Sequence, residues 1–225
     1  MEKETKGYQT LNAYNKIKRK IITLEYKPGE ILNEKSLERE LGVGRTPIRE
    51  ALLTLRAENL VENRPNQSSY VKEITFKGVR DFFETFVVVE KLATCLAVQR
   101  ITPEALEEVK KSEEEVNSAI ERRDYWEHVL QNRRFHRLIA QASDNDYVFS
   151  IYENLRNQAD RLSYLAISRE FRDTVSLDHY LAKTKQHHSE IVSCLEKHHV
   201  DRLETLSEEH MKLFQNRILN YLRAT

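Results

Sequence analysis

The sequence predicts a mainly α fold in two parts: an N-terminal winged helix-turn-helix with a small β-hairpin wing, and a C-terminal all-α antiparallel helical bundle. Three observations carry this. Only 5 Gly and 4 Pro interrupt 225 residues, too few breakers for an all-β chain. Three of those prolines, Pro28, Pro47 and Pro65, fall in the first third, where they mark off short elements. From Phe76 onward there is no strand-like alternation, and cap residues stand at the breaks between long helical stretches. The 36 basic and 36 acidic residues cancel, which excludes a chain that coats nucleic acid along its whole length and an acidic solvating tail alike. No apolar run approaches the 18 or so residues of a membrane helix. The mixed-charge first ten residues are no secretory signal, and two cysteines in helical patterns build no disulfide framework. A cytoplasmic protein with reduced thiols is expected.

In residues 11–24, Tyr14, Ile17, Ile21 and Leu24 recur at steps of three and four, one buried helical face. Pro28-Gly29 makes a turn, with Gly taking the positive φ. Asn33 caps a short helix over 34–41. Gly42-Val43-Gly44 breaks it, since each Gly costs about 1 kcal/mol relative to Ala within a helix. Thr46-Pro47 restarts the chain as N-cap and first helical position, and a helix over 47–58 buries Ile48, Leu52 and Leu55. Asn59 can close that helix in the left-handed conformation. Strands at 60–63 and 69–74, turned at Pro65-Asn66, complete a wing.

Two helices joined by a tight Gly-containing turn form a helix-turn-helix, whose second helix puts its N-terminal end into the major groove. Arg45 stands just before that end, and Thr46 and Arg49 lie in its first turn. An Arg there can pair with guanine in bidentate fashion, while Thr hydroxyls and Lys35 on the preceding helix can hold phosphates. Taken singly, these are ordinary surface charges of a helical hairpin; the ordered set is far more specific. The first 75 residues hold 14 Lys/Arg against 11 Asp/Glu, a mild basic bias in the same direction.

The stretch Pro28-Gly29-Glu30-Ile31-Leu32-Asn33-Glu34, followed by Leu41-Gly42-Val43-Gly44-Arg45-Thr46-Pro47-Ile48-Arg49-Glu50-Ala51-Leu52, closely resembles the DNA-binding domain of GntR-family transcription regulators over residues 8–74. The resemblance implies that Lys35, Arg45, Thr46 and Arg49 contact DNA and that Gln67 and Ser68, at the hairpin tip, enter the minor groove. Two positions depart from the family pattern. Gly44 replaces the usual Ser or Thr and its phosphate-binding hydroxyl, and Gln67-Ser68 replaces an Arg-Gly type of wing tip.

Six helices are expected beyond the wing. Thr75 caps the first, over 76–100. Thr102-Pro103-Glu104 opens the second, whose Glu- and Lys-rich surface over 104–123 is a solvated face. Asp124 opens the third, ending near residue 142, and Ser143-Asp144-Asn145 separates it from a fourth over 146–168. The fifth spans 176–197, and Asp201 with Glu204 starts the last, to residue 221, as a capping-box-like pair. Phe82, Phe83, Val87 and Val88 crowd one helix more densely than a single stripe requires, so part of it is expected to meet a second copy in a homodimer.

Histidines carry the chemistry of this half. Asn132 and His136 are one turn apart on an inward face. His188 lies on the stripe Leu181, Thr184, Ile191, Leu195, and His210 on Leu203, Leu206, Leu213. The 22 residues between His188 and His210 fold about a turn near residues 198–200, which brings both to one height on adjacent antiparallel helices. One inward His is usually a hydrogen-bonded core residue. Three converging imidazoles without partners would cost several kcal/mol, and a divalent metal would satisfy them. His187, His198 and His199 read as solvent-facing or turn residues.

The second half also resembles the FCD effector-binding domain of FadR-like regulators, over 76–222, through Asn132-Arg133-Arg134-Phe135-His136 and the later His188 and His210. The resemblance implies that Asn132, His136, His188 and His210 hold a divalent transition metal (Zn, Ni or Mn), with Asn132 in place of the usual Asp. Phe86, one turn before Glu90, stands where many relatives carry an Arg that grips a carboxylate effector. The expected function is a transcription regulator, a repressor, that binds a palindromic double-stranded DNA operator as a homodimer under control of a small-molecule effector. The alternative is a metal-dependent enzyme in which a His-bound metal activates water. Against it, no inward Glu or Asp presents itself as a general base.

Overall fold

The structure, a computed structural model, describes residues 2–63, 69–168 and 174–224, without the side chains of 2–6, 174–176 and 224. The chain divides into two compact units, Met1–Ile74 and Thr75–Thr225.

In the first unit, α1 (Glu2–Ile22) is longer at its start than the apolar spacing marks, and it buries Ala13, Ile17 and Ile21. It stops before Leu24, which takes a positive φ of 60°. Gly29 has the expected positive φ, 80°. A two-residue strand β1 (Ile31–Leu32), absent from the sequence reading, follows; it exists only because Ile31 and Leu32 pair antiparallel with Tyr70 and Ser69 of a later strand. Helix α2 (Glu34–Leu41) has the expected bounds. Asn33 accepts a hydrogen bond from the Ser36 N–H at its start, and Gly42, at φ 66°, closes it through an N–H bond to Glu38 O.

Helix α3 (Arg45–Ala57) corrects the expected start. Gly44 is its N-cap and no side chain caps it, so Thr46 is helical rather than a cap. Pro47 therefore sits third in the helix, still within the turn whose N–H groups have no intrahelical partner. Asn59 takes the left-handed conformation at φ 59°. Strands β2 (Val61–Asn63) and β3 (Ser69–Val71) pair with Val61 opposite Val71, giving the sheet order β1-β3-β2. The Pro65-Asn66 turn, Gln67 and Ser68 lie outside the described residues. Ile17, Ile21, Leu37, Ile48, Leu55 and Val71 meet in one core beneath α3.

The second unit is helical throughout the described residues: α4 (Phe76–Arg100), α5 (Pro103–Glu121), α6 (Tyr125–Ala142), α7 (Asp146–Ile167), α8 (Thr174–Glu196) and α9 (Val200–Ala224). Thr75, Thr102, Asp124 and Asn145 cap α4 to α7 through side-chain oxygens. Asp201 does not cap α9. The helix begins a residue earlier, with His199 O accepting from Leu203 N–H, and Asp201 lies in its first turn.

Helix α4 packs on α6, α7 and α9, and α8 pairs with α9. Of the crowded α4 residues, Phe82 and Phe83 are core, buried within the protomer with Phe83 edge-on to Phe214 at 5.1 Å, and Val88 is exposed. Val88 and Leu92 are the large apolar residues that α4 leaves exposed beyond Phe76. No helix among the described residues is long and apolar enough to cross a membrane.

Candidate nucleic-acid interface and metal centre

Lys35, Arg45, Thr46 and Arg49 are all exposed, on α2 and on the first turn and a half of α3. Gly44 supplies no capping oxygen, so the first N–H groups of α3 are left without a side-chain acceptor. Arg45 and Arg49 share one carboxylate: Glu34 Oε2 accepts from Arg45 Nε at 2.9 Å, and Arg49 Nε lies 3.0 Å from both Glu34 oxygens. Burial raises the Glu34 pKa, but the hydrogen bonds from Arg45 and Arg49 outweigh it and hold the carboxyl below its ordinary range. Sequence reasoning did not single out Glu34, because only the folded turn brings it against residues eleven and fifteen positions later.

In the second unit, His136 on α6, His188 on α8 and His210 on α9 converge. Their ring centroids lie 4.9 to 5.3 Å apart, and one nitrogen of each falls within 4.8 Å of the others. All three are buried, His188 completely. Among the described residues, neither nitrogen of His188 has a hydrogen-bond partner, nor does His210 Nδ1. Burial, and then the neighbouring imidazoles, push His188 and His210 well below the ordinary histidine value. Both are therefore neutral at pH 7, with lone pairs free to donate to a metal.

Asn132 lines the same cavity, whose volume is about 20 Å³, alongside His136, His210, Glu90 and Arg156. That is room for a single water- or ion-sized occupant. His136 and His210 line this space and the ring of the buried, unpartnered His188 packs against both, a donor set that fits a divalent transition metal.

Three features of the site correct the sequence reading. His187 is half-buried, its ring 5.7 Å from that of His210 and its Nδ1 without a partner, so it belongs to the edge of the cluster. His198, by contrast, braces its turn through a 2.7 Å contact from Nδ1 to Val98 O, and His199 is exposed. An inward acid does exist: Glu90 is buried on α4, with Oε1 3.0 Å from His136 Nδ1. The third is His128, which sequence reasoning missed. It is buried one turn before Asn132, with Nδ1 unpartnered, and desolvation drives its pKa to about 4. Its four-residue step from Asn132 was the available signal.

The effector side of the cavity is unlike an open arginine grip. Phe86 is buried and stacks on Phe82 at 4.9 Å. Arg156 is buried on α7, but its Nε donates to Asp160 at 2.8 Å and its guanidinium also to Tyr152 Oη at 3.1 Å. Asp160 in turn accepts from Arg133 at 2.7 Å.

A winged helix-turn-helix with paired arginines at the head of its second helix, followed by a helical unit around a buried polar cavity, defines the two-unit DNA-binding transcription regulators. Sequence profiles sharpen this: that of the bacterial regulatory proteins of the gntR family matches residues 9–71, and that of the FCD domain matches 81–213. The chain belongs to the GntR family of transcription regulators and carries an FCD domain. It is 28% identical to the HTH-type transcriptional repressor RspR of Escherichia coli K12 over 199 residues, covering 88% of this chain and 84% of that one. It is 30% identical to the HTH-type transcriptional regulator YdhC of Bacillus subtilis 168 over 158 residues, 70% of each. Escherichia coli McbR/YncC shares the fold, with a TM-score of 0.78 at 24% identity over 96% of this chain and 99% of that structure. These families and relatives are regulators and not enzymes, which removes the metal-dependent hydrolytic alternative.

Proposed function

We propose that the protein is a dimeric repressor whose helical unit holds one divalent transition metal (Zn, Ni or Mn) on His136, His188 and His210, with the Asn132 amide oxygen as a weak fourth ligand. One observation carries this: three buried imidazoles whose nitrogens lie within 4.8 Å of one another, His188 with neither nitrogen bonded. When bound, the metal supplies a Lewis-acidic anchor for a small-molecule effector. Glu90 Oε1, 3.0 Å from His136 Nδ1 but without a hydrogen bond among the described residues, adds a negative charge beside the site. Arg156 is already engaged by Asp160 and Tyr152, which disfavours a simple carboxylate effector gripped by a free arginine.

On the DNA side, Arg45 and Arg49 read bases in the major groove, Lys35 and Thr46 hold phosphates, and Gln67 and Ser68 are the proposed wing contacts. A homodimer, with the exposed Val88 and Leu92 of α4 in its contact, would present two recognition helices to a palindromic operator. Repression is favoured by the names of two relatives, RspR and the gluconate operon repressor of Bacillus licheniformis. Retardation of the duplex upstream of the protein's own gene tests the proposal, with metal-loaded and chelator-stripped protein compared. Sequence-specific retardation whose strength changes with metal supports it; no specific retardation by either form would refute the DNA-side assignments, and identical affinities would remove the metal from the regulatory scheme.

A further inference from the structure

Glu34 opens α2, where an acid is already favoured by the helix dipole. Its carboxylate also bridges to α3, taking the Nε–H of both Arg45 and Arg49. Both arginine side chains stay more than half exposed, at 58% and 56%. Among the described residues their Nη atoms make no hydrogen bond, so each guanidinium is held by its inner edge with its outer nitrogens free.

The bridge lies at the surface, where ion pairs contribute little to stability; its effect is on orientation and charge. An unrestrained guanidinium beside DNA goes to the nearest phosphate, a contact that carries no sequence information. Held through Nε, it offers its two Nη atoms end-on, in the geometry that matches guanine O6 and N7. One carboxylate also cancels one of the two positive charges and repels phosphate oxygens.

We propose that Glu34 is the specificity-determining positioning residue of this DNA interface. It pre-orients Arg45 and Arg49 for base reading and penalises the phosphate-only contacts that any sequence can offer. A matched site leaves both bonds to Glu34 in place. A mismatched site can use the arginines only by pulling them off Glu34 and leaving its charge facing DNA. This rests on the proposal that Arg45 and Arg49 read bases.

The test uses full-length protein and a duplex selected by the wild type from a random library, set against a scrambled duplex of the same composition. Glu34→Gln should raise affinity for the scrambled duplex about three- to tenfold and lower the selected-to-scrambled ratio about tenfold. Its salt slope on scrambled DNA should steepen by about 0.9 for each further phosphate that the freed arginines neutralise. The thermal midpoint should fall by only a few degrees, the loss of one acid at an exposed helix start. Glu34→Asp, which keeps the charge but is too short to span both arginines, should keep the wild-type salt slope and still lose the ratio. Arg49→Ala is the control for the underlying assignment and should lose affinity for the selected duplex. If Arg49→Ala loses that affinity while both Glu34 variants keep the wild-type ratio, the role of Glu34 is overturned and the arginine assignment stands. If Arg49→Ala binds the selected duplex like the wild type, the arginine assignment itself falls.

Discussion

Acidifying the metal-free protein should unfold its helical unit, and the histidine cluster sets the size of the effect. His128 is buried with its pKa driven to about 4, against an ordinary value of 6.5. Because the folded pKa is depressed, the unfolded chain binds the proton first as pH falls, and stability drops from about pH 6.5 downward until the folded group also titrates. At pH 5 the unfolded His128 has been protonated across about 1.5 units that the folded one has not, which at 1.36 kcal/mol per unit is about 2 kcal/mol. His188 and His210 are displaced in the same direction, by burial first and then by neighbouring imidazoles, and they add to the loss. Against a total stability of roughly 5–15 kcal/mol this is a large fraction. The assay is urea unfolding of chelator-stripped protein at pH 7, 6 and 5, followed by the fluorescence of Trp126, the single tryptophan, which lies in the first turn of α6. His128→Leu should flatten the pH dependence by one proton. A wild-type stability that stays level between pH 7 and pH 5 would refute the burial of neutral imidazoles on which the site rests.

The remaining expectations concern DNA, capping and assembly. Arg49→Ala should cost about 1–3 kcal/mol of affinity for the matched operator and relax specificity there, whereas Lys35→Ala should weaken all sequences alike and reduce the salt slope by about 1 in fluorescence titrations. Asn145 accepts from the N–H groups of Tyr147 and Val148 at the head of α7; Asn145→Ala should lower stability to urea by about 0.5–2 kcal/mol, with a zero change contradicting the cap. Light scattering at micromolar concentration should return about twice the 26.6 kDa chain mass, and a monomer mass would exclude the dimer.

What the sequence made legible was local. Asn33, Thr75, Thr102 and Asp124 each bond an N–H three residues on, so a cap and its helix are written in adjacent letters; Asn145, read only as part of a turn, caps α7 in the same way. The relative height of His188 and His210 was legible for a similar reason, since a turn of known position halves a counted length. What escaped depends on contacts distant in sequence. Strand β1 exists only against β3, Glu34 matters only beside Arg45 and Arg49, and Glu90 joins the cluster only where α4 crosses α6. The start of α3 was misplaced because Thr-Pro is a strong local signal, yet Gly44, with no side chain to offer, is the residue that takes the cap conformation. Which of Phe82, Phe83, Val87 and Val88 belong to the core was not legible, because it depends on how α6, α7 and α9 pack around α4.

The metal site proposed for the helical unit is built from His136, His188 and His210. Isothermal titration of chelator-stripped protein with Zn, Ni and Mn at neutral pH tests it most directly, with His188→Ala and Asn132→Asp run beside the wild type. One metal per chain is expected for the wild type, none for His188→Ala, and tighter binding for Asn132→Asp, which restores a charged oxygen ligand. Neutral imidazole is the ligating form, so affinity should fall as the titration is repeated at lower pH. No binding of any of the three metals by the wild type, or equal binding by His188→Ala, would contradict it.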